Sequence, residues 1–227
     1  AQADRRTSLA GNDLIEDRDD VFLFPQTLHR YQNALTFDMG TAAEAGGGLF
    51  SLGNDSMTFG AAIHRAPQGQ GVLGWQNRDR ELEGLGGFGL GVSDGRWTAA
   101  AEDNIDLLFG MALNSNLDLG LRLGLGRGLA WSDNVIPDGA PPETRGSNNS
   151  NSQNALHLSI GTTYKADGLH LDASLKVRNV SGSITEDNET AIITAGGSGV
   201  GVASRAFVKM GEGLDLGALL GFETSNG

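Results

Sequence analysis

Apolar side chains fall on alternate positions through long stretches of this chain, and that two-residue period constrains the fold more than any other feature. In residues 104–126, NIDLLFGMALNSNLDLGLRLGLG, large apolar residues alternate with polar residues or small ones on both sides of NSN. Successive side chains of a β-strand point to opposite faces, so a period of two predicts strands with one apolar face each. Asn tolerates the backbone of a tight turn, so NSN predicts a hairpin.

The same alternation recurs along the chain, with GND, ADG and GEG as further tight turns. It predicts an all-β, antiparallel, up-and-down fold of nine strands, at residues 33–42, 47–53, 56–65, 103–113, 117–131, 154–166, 169–180, 192–210 and 214–224. Longer polar connections separate the hairpins, at residues 67–102, 134–153 and 181–191. Short and long connections alternate in this way in transmembrane β-barrels, where short periplasmic turns oppose long extracellular loops.

The apolar faces of these strands could meet either of two solvents. A soluble barrel or sandwich would bury its leucines and show its charges to water, whereas a membrane barrel turns leucines to lipid and charges to its lumen. Several strands run to about ten residues or more, which is the length that crosses a bilayer when tilted. Glycine is common on the polar face and leucine on the other, which also favours the membrane barrel. A mean hydropathy of −0.21 is compatible with it.

Nine is an odd number of strands, whereas bacterial single-chain barrels have an even number. The last predicted strand ends on the side of the long connections, where ETSNG is typical of the start of another loop. We therefore expect residues 32–227 to be the N-terminal part of a larger transmembrane barrel in the bacterial outer membrane, with the lipid bilayer as its partner.

Residues 1–31 differ from the strands, because a basic start leads into an acidic cluster and then VFLFP. Small residues are followed by acids and then by aromatics and a proline: residues 9–12, Asp17, Asp19, Asp20, Phe22, Phe24 and Pro25. This order resembles the opening of a bacterial outer-membrane barrel group that is related to the long-chain fatty acid transporters and porin-like barrels. The resemblance implies a periplasmic or lumen-inserted segment, tucked inside or beneath the barrel, and does not extend to a fatty-acid substrate.

Charged and histidine side chains lie on the polar face, where a membrane barrel would place them in its lumen: Asp38, His64, Asp106, Asp118, Arg122, His157, Lys165, His170, Asp172, Lys176, Arg178, Arg205, Lys209, Asp215 and Glu223. Rows of lumen charge set the ion preference of pores. Acids and bases are nearly balanced in this set, so they could instead pair across strands and hold the interior shut.

Metal binding finds weak support in the sequence. Ca²⁺ takes clustered carboxylates, and the N-terminal acids Asp17, Asp19 and Asp20 offer them, although their spacing is not that of a calcium loop. Pairing of these acids with nearby arginines is the alternative. His157 and His170 face each other on adjacent predicted strands and could be neighbours, but two histidines without a third ligand make a weak metal signal. We expect no metal or other cofactor.

Enzymatic activity and nucleic-acid binding are disfavoured. Ser, His and Asp are present without the sequence context of an activated nucleophile, and cysteine is absent. A net charge of −12 disfavours contact with a phosphate backbone. We expect an outer-membrane pore or uptake channel for small solutes. The alternative is a closed structural barrel of the cell envelope, which binds partner proteins through its loops or rim.

Overall fold

Nine antiparallel strands form one sheet in the computed structural model of the chain, and their order in the sheet is their order in the sequence. They are β1 (Ala34–Met39), β2 (Gly46–Gly53), β3 (Met57–Ile63), β4 (Asp103–Asn114), β5 (Leu117–Ser132), β6 (Asn149–Ala166), β7 (Leu169–Glu186), β8 (Ile193–Gly211) and β9 (Leu214–Asn226). Two 3₁₀ helices, Arg18–Phe22 and Pro25–Arg30, precede them. The structure describes residues 16, 18–39, 46–63, 103–132, 149–186, 193–211 and 214–226. The predicted all-β, antiparallel, up-and-down architecture of nine strands is confirmed.

Short connections lie at one end of the sheet. Gly168, with a φ of 70°, provides the left-handed residue in the turn between β6 and β7. The connections at the opposite end are residues 40–45, 64–102, 133–148 and 187–192, which lie outside the described residues. Within the described ranges β1 and β9 each pair with one strand only, so the sheet is open there. No helix in the described part of the chain is long and apolar enough to cross a membrane.

The strands β6 and β7 extend beyond their predicted ends. Residues 149–153 of β6 pair with residues 182–186 of β7, although the sequence places both stretches in polar loops. The prediction ended each strand where the apolar alternation ends. Backbone pairing continues because the ladder is made by N–H and C=O groups, which do not depend on the polarity of the side chains.

The apolar face of the sheet is exposed. Cross-strand register aligns its side chains in rows, one of which contains Phe59, Phe109, Leu121, Ile160, Leu175 and Val202. In that row Phe59 is 58% exposed and Ile160 is 49% exposed. The leucines and their neighbours therefore do not form a core of this chain.

The polar face of the sheet is buried, and the N-terminal segment (residues 18–31) lies against it. Asp106, Asp118 and Arg205 are each at most 2% exposed. Apolar side chains of the segment make the main core with the few apolar residues of this face, in a cluster of Val21, Phe22, Leu28, Leu49, Ala62 and Leu108. Charges of the polar face thus lie inside the fold and the leucines of the apolar face lie outside, which reverses the arrangement of a soluble sandwich.

Candidate functional site

A row of three glycines on the polar face accommodates the second 3₁₀ helix. Gly110, Gly120 and Gly161 are successive cross-strand partners on β4, β5 and β6. A Cβ atom on Gly120 would lie 2.0 Å from the backbone nitrogen of Gln26, and one on Gly161 would lie 1.9 Å from Oε1 of Gln26. A Cβ at Gly120 or Gly161 would collide with the segment and one at Gly110 would be in tight contact with it, so these positions form a groove for its backbone. Gln26 is fully buried there, and its Nε2 donates to the carbonyl oxygen of Thr162 at 2.9 Å.

This contact gives the glycines a role that the sequence did not reveal. The sequence places these glycines on the polar face but does not indicate what lies against them. The N-terminal segment lies there, since Gly60 also faces the side chain of Leu28, 3.1 Å from where its Cβ would be.

Arg205 joins the segment to the sheet by a charged bridge. It is fully buried, and its Nη1 donates to Oδ2 of Asp20 in the segment at 2.8 Å. Its Nε and Nη2 both donate to Oδ2 of Asp172 on the neighbouring strand, at 3.1 and 2.8 Å. The guanidinium also lies over the ring of Phe24, 4.7 Å from its centroid. Two carboxylates and an aromatic face therefore compensate the cost of burying this cation.

Arg122 makes a second bridge of the same kind on β5. Its Nε donates to Oδ1 of Asp106 on β4 at 2.6 Å, and its Nη1 donates to the carbonyl oxygen of Phe22 in the segment at 2.8 Å. The guanidinium lies 5.5 Å from the centre of the Phe22 ring. Each arginine thus pairs with an acid of the adjacent strand and also binds the segment.

Asp118 receives a third contact near the short turns. Nζ of Lys165 lies 2.6 Å from its Oδ2, and Nε2 of His29 in the segment lies 3.5 Å from the same oxygen. At the exit of the segment, Asn33 adopts a positive φ of 51° and exchanges hydrogen bonds with the backbone of Gly53. These contacts fix the path by which the segment leaves the polar face and enters β1.

Glu16, His170 and Asp172 bring three possible metal ligands within 4.8 Å of one another. Cations already occupy this donor set. Arg30 lies 2.9 Å from Glu16, and Arg205 lies 2.8 Å from Asp172. Two guanidinium groups beside the ligands repel a metal ion, so the cluster is an ion-pair network.

The other predicted residues of the polar face fall into three groups. His157, Lys176 and Arg178 are buried on that face. Lys209 is exposed beside the turn that holds Gly168, where the register of β8 with β9 shifts before Gly211, and its place in a lumen stays a prediction. The third group is not described at the level of side chains. His64 lies outside the described residues, and so do the side chains of Asp38, Asp215 and Glu223.

The expected proximity of His157 and His170 is wrong. His157 is paired with Arg178, while His170 is paired with Lys165. The two histidines share a face and a hairpin but lie at opposite ends of it, since one is near the turn and the other is thirteen residues earlier in sequence. The Nε2 atom of His170 instead contacts Oδ1 of Asp172 at 3.0 Å.

Of the three acids considered for calcium, Asp20 has a side chain within the described part of the structure. Asp20 is 1% exposed and is paired with Arg205. This arginine is 185 residues from Asp20 in the sequence. Asp17 lies outside the described residues, as does the side chain of Asp19. The ion pair uses Oδ2, one of the two carboxylate oxygens of Asp20.

Sequence reasoning missed the segment residues that make the site, namely Phe22, Phe24, Gln26 and His29. The signal that could have found them is the alignment of Gly110, Gly120 and Gly161, which follows from the NSN turn and the register of β5 with β6. Comparison with protein-family models gives no match to this chain, and comparison with the curated proteins also gives none.

Proposed function

We propose that the chain forms part of an outer-membrane β-barrel whose interior is sealed by its own N-terminal segment. The polarity of the sheet supports the membrane setting, because an exposed apolar face opposite a buried charged face suits lipid outside and protein inside. Between Leu117 and Leu125 of β5 the apolar positions span eight residues, or about 27 Å along the strand. This length is measured along the strand, before its tilt is considered. It is close to the height of the apolar band of transmembrane barrels, which is about 25 Å.

Closure of the barrel is the second part of the proposal. An open sheet edge carries backbone N–H and C=O groups that lipid cannot satisfy, so spanning sheets are closed. Phe37 of β1 and Phe222 of β9 are each 69% exposed, which extends the apolar surface to both edges. Further strands that pair with β1 and β9 would complete the cylinder around the segment.

The function that this geometry supports best is that of a closed structural barrel of the cell envelope, which presents its loops or rim to partner proteins. The bridge from Arg205 to Asp20 carries this conclusion, because it uses a fully buried cation to tie the segment to the sheet. Arg122 does the same with the backbone of Phe22. Because charges of the lumen bind the internal segment, few of them are left to select ions.

A solute channel is the second candidate, and a different set of residues favours it. The hydroxyl groups of Thr58, Ser159 and Ser174 are buried on the polar face and have no hydrogen-bond partner in the part of the chain described. Such groups could bind a polar solute beside the segment if the segment moved. The channel would then be gated by the contacts of Arg122 and Arg205.

Conductance of the purified full-length protein in a planar lipid bilayer separates the two candidates. The closed barrel predicts no steady single-channel steps from the wild-type protein, and insertion is verified by protease protection of the strands. The variant Arg205→Ala, which loosens the segment, should then conduct, whereas the exposed control Lys209→Ala should stay silent. Steady steps from the wild type would favour the channel, and neutralising Lys176 should then shift its ion preference.

A further inference from the structure

A depression of about 510 Å³ opens on the apolar face, at the end of β4–β7 that is opposite the short turns. Its volume lies in the range of small-molecule sites, about 300–1,000 Å³. The side chains that define it are Ile105, Leu125, Asn154, Leu156, Asn179 and Ser181. None of them belongs to the N-terminal segment or to the charged bridges of the polar face.

The lining is layered in two adjoining rows of the sheet. Ile105, Leu125, Leu156 and Asn179 are successive cross-strand partners, so this row is apolar on β4–β6 and ends with an amide on β7. In the next row toward the long connections, Asn154 is the partner of Ser181. The β4–β6 part of the first row is therefore hydrocarbon, whereas Asn179 and the second row offer amide and hydroxyl groups.

The lining is also uncharged, in a chain whose net charge is −12. Asp103 and Arg127 continue the second row as direct backbone partners, and neither is among the residues that line the depression. An anionic headgroup would find no compensating cation among the lining residues. Hydroxyl groups suit this row better, because amides and serine both donate and accept hydrogen bonds.

We propose that the depression binds one amphiphile, with an alkyl chain and an uncharged, hydroxyl-rich headgroup such as a sugar. The chain packs on Ile105, Leu125 and Leu156, and the headgroup bonds to Asn154, Asn179 and Ser181. The inference rests on the proposed membrane setting, in which this level of the sheet is the boundary between hydrocarbon and headgroups. It adds a specific lipid-like ligand to a surface that otherwise contacts bulk lipid.

Photolabelling tests the site with a defined probe. The full-length protein in phospholipid nanodiscs is exposed to decyl glucoside that carries a diazirine in its alkyl chain, and labelled peptides are mapped by mass spectrometry. We expect saturable labelling concentrated in the peptides that contain Leu125 and Leu156. Decyl phosphate with the same diazirine should label them about tenfold less at equal concentration.

Two matched variants locate the site. Ser181→Trp fills the depression and should reduce labelling by decyl glucoside about tenfold. Val208→Trp places the same side chain on β8 at the opposite end of the exposed apolar face, away from the depression, and should leave labelling unchanged. Tryptophan is well tolerated at membrane interfaces, so both variants are expected to fold.

The outcomes separate the site from the membrane setting. Unsaturable labelling spread over the whole apolar face would overturn the site while leaving the membrane proposal intact. Equal labelling by the phosphate probe would overturn the uncharged headgroup. Labelling that both tryptophan variants leave unchanged would also overturn the site, and an apolar face that neither probe labels would contradict the proposed membrane setting itself.

Discussion

Arg205 and Asp20 lie 185 residues apart in sequence, and Nη1 of the arginine donates to Oδ2 of the aspartate at 2.8 Å. The guanidinium is fully buried and is shared with Asp172 of the neighbouring strand. A single side chain of β8 thus couples the N-terminal segment to the sheet. The segment is tied to the fold because its Asp20 adds a second carboxylate to the Arg205–Asp172 pair that the strands make.

Replacement of Arg205 by methionine should lower the free energy of unfolding by about 3–5 kcal/mol. The physical reason is that Asp20 and Asp172 would stay buried without their cation. Urea unfolding in detergent micelles, followed by circular dichroism, measures this loss.

Lys209→Met is the matched control, because it removes an exposed cation from the same strand. It should change the free energy of unfolding by less than about 0.5 kcal/mol. A triple variant, in which Asp20→Asn and Asp172→Asn accompany Arg205→Met, should recover part of the stability, since no uncompensated charge remains. Equal losses at Arg205 and Lys209 would show that the bridge contributes nothing.

Gly120→Ala should dislodge the N-terminal segment from its groove. The new Cβ would lie 2.0 Å from the nitrogen of Gln26 and 2.3 Å from the carbonyl carbon of Pro25, and backbone atoms cannot rotate away. Overpacking of this kind costs about 1–3 kcal/mol. Because cleavage follows the population of the open form, trypsin should cut after Arg30 about tenfold faster or more.

The control for this variant is Gly217→Ala, at an exposed glycine of β9. Its rate of cleavage after Arg30 should equal that of the wild type, as measured by mass spectrometry of timed digests. If Gly120→Ala were cut no faster than this control, the segment would not be seated on the glycine row.

The strands and their two faces could be predicted from the sequence because the period of two is a local property. Residues 104–126 alone define β4, the NSN turn, most of β5 and the side on which each leucine lies. The strand ends at residues 149–153 and 181–186 were missed, since polar side chains carry no alternation there although the backbone still pairs.

The partners of the polar face could not be predicted in the same way. Proximity in sequence suggested nearby arginines for the acidic cluster, yet Asp20 is bound by Arg205 of β8. That contact depends on the curvature of the sheet and on the path of the segment, neither of which a local pattern records. The same holds for the glycine row, the purpose of which becomes clear only when Gln26 lies across it.

Lys165→Met should lower the free energy of unfolding by about 1–3 kcal/mol, because it leaves the buried carboxylate of Asp118 without its nearest cation. Asp118 is 1% exposed, and Lys165 is 2.6 Å from it. The double variant Lys165→Met/Asp118→Asn should lose less than the sum of the two single variants, because each single variant leaves a charge unpaired. Additive losses in urea unfolding would mean that the two side chains act independently.

Leu121→Lys tests whether the apolar face meets lipid. Leu121 is the middle one of the alternate apolar positions of β5 from Leu117 to Leu125. Its cross-strand partners are Phe109 and Ile160. A lysine at the midplane of a bilayer costs a transmembrane barrel about 2–4 kcal/mol, and at the interface about 0–1 kcal/mol. Folding from urea into phospholipid vesicles should therefore be weakened far more by Leu121→Lys than by Asn179→Lys, which lies at the end of the apolar rows.

The comparison of these two lysine variants is decisive because both positions are exposed. In water, a lysine on either exposed strand position would change the free energy of unfolding by less than about 0.5 kcal/mol. A larger cost at Leu121 of β5 than at Asn179 of β7 requires that the surroundings change from polar to apolar between the end of the sheet and its middle. Equal and small costs at the two positions would mean that Leu121 does not meet the core of a bilayer, and the membrane proposal would fail.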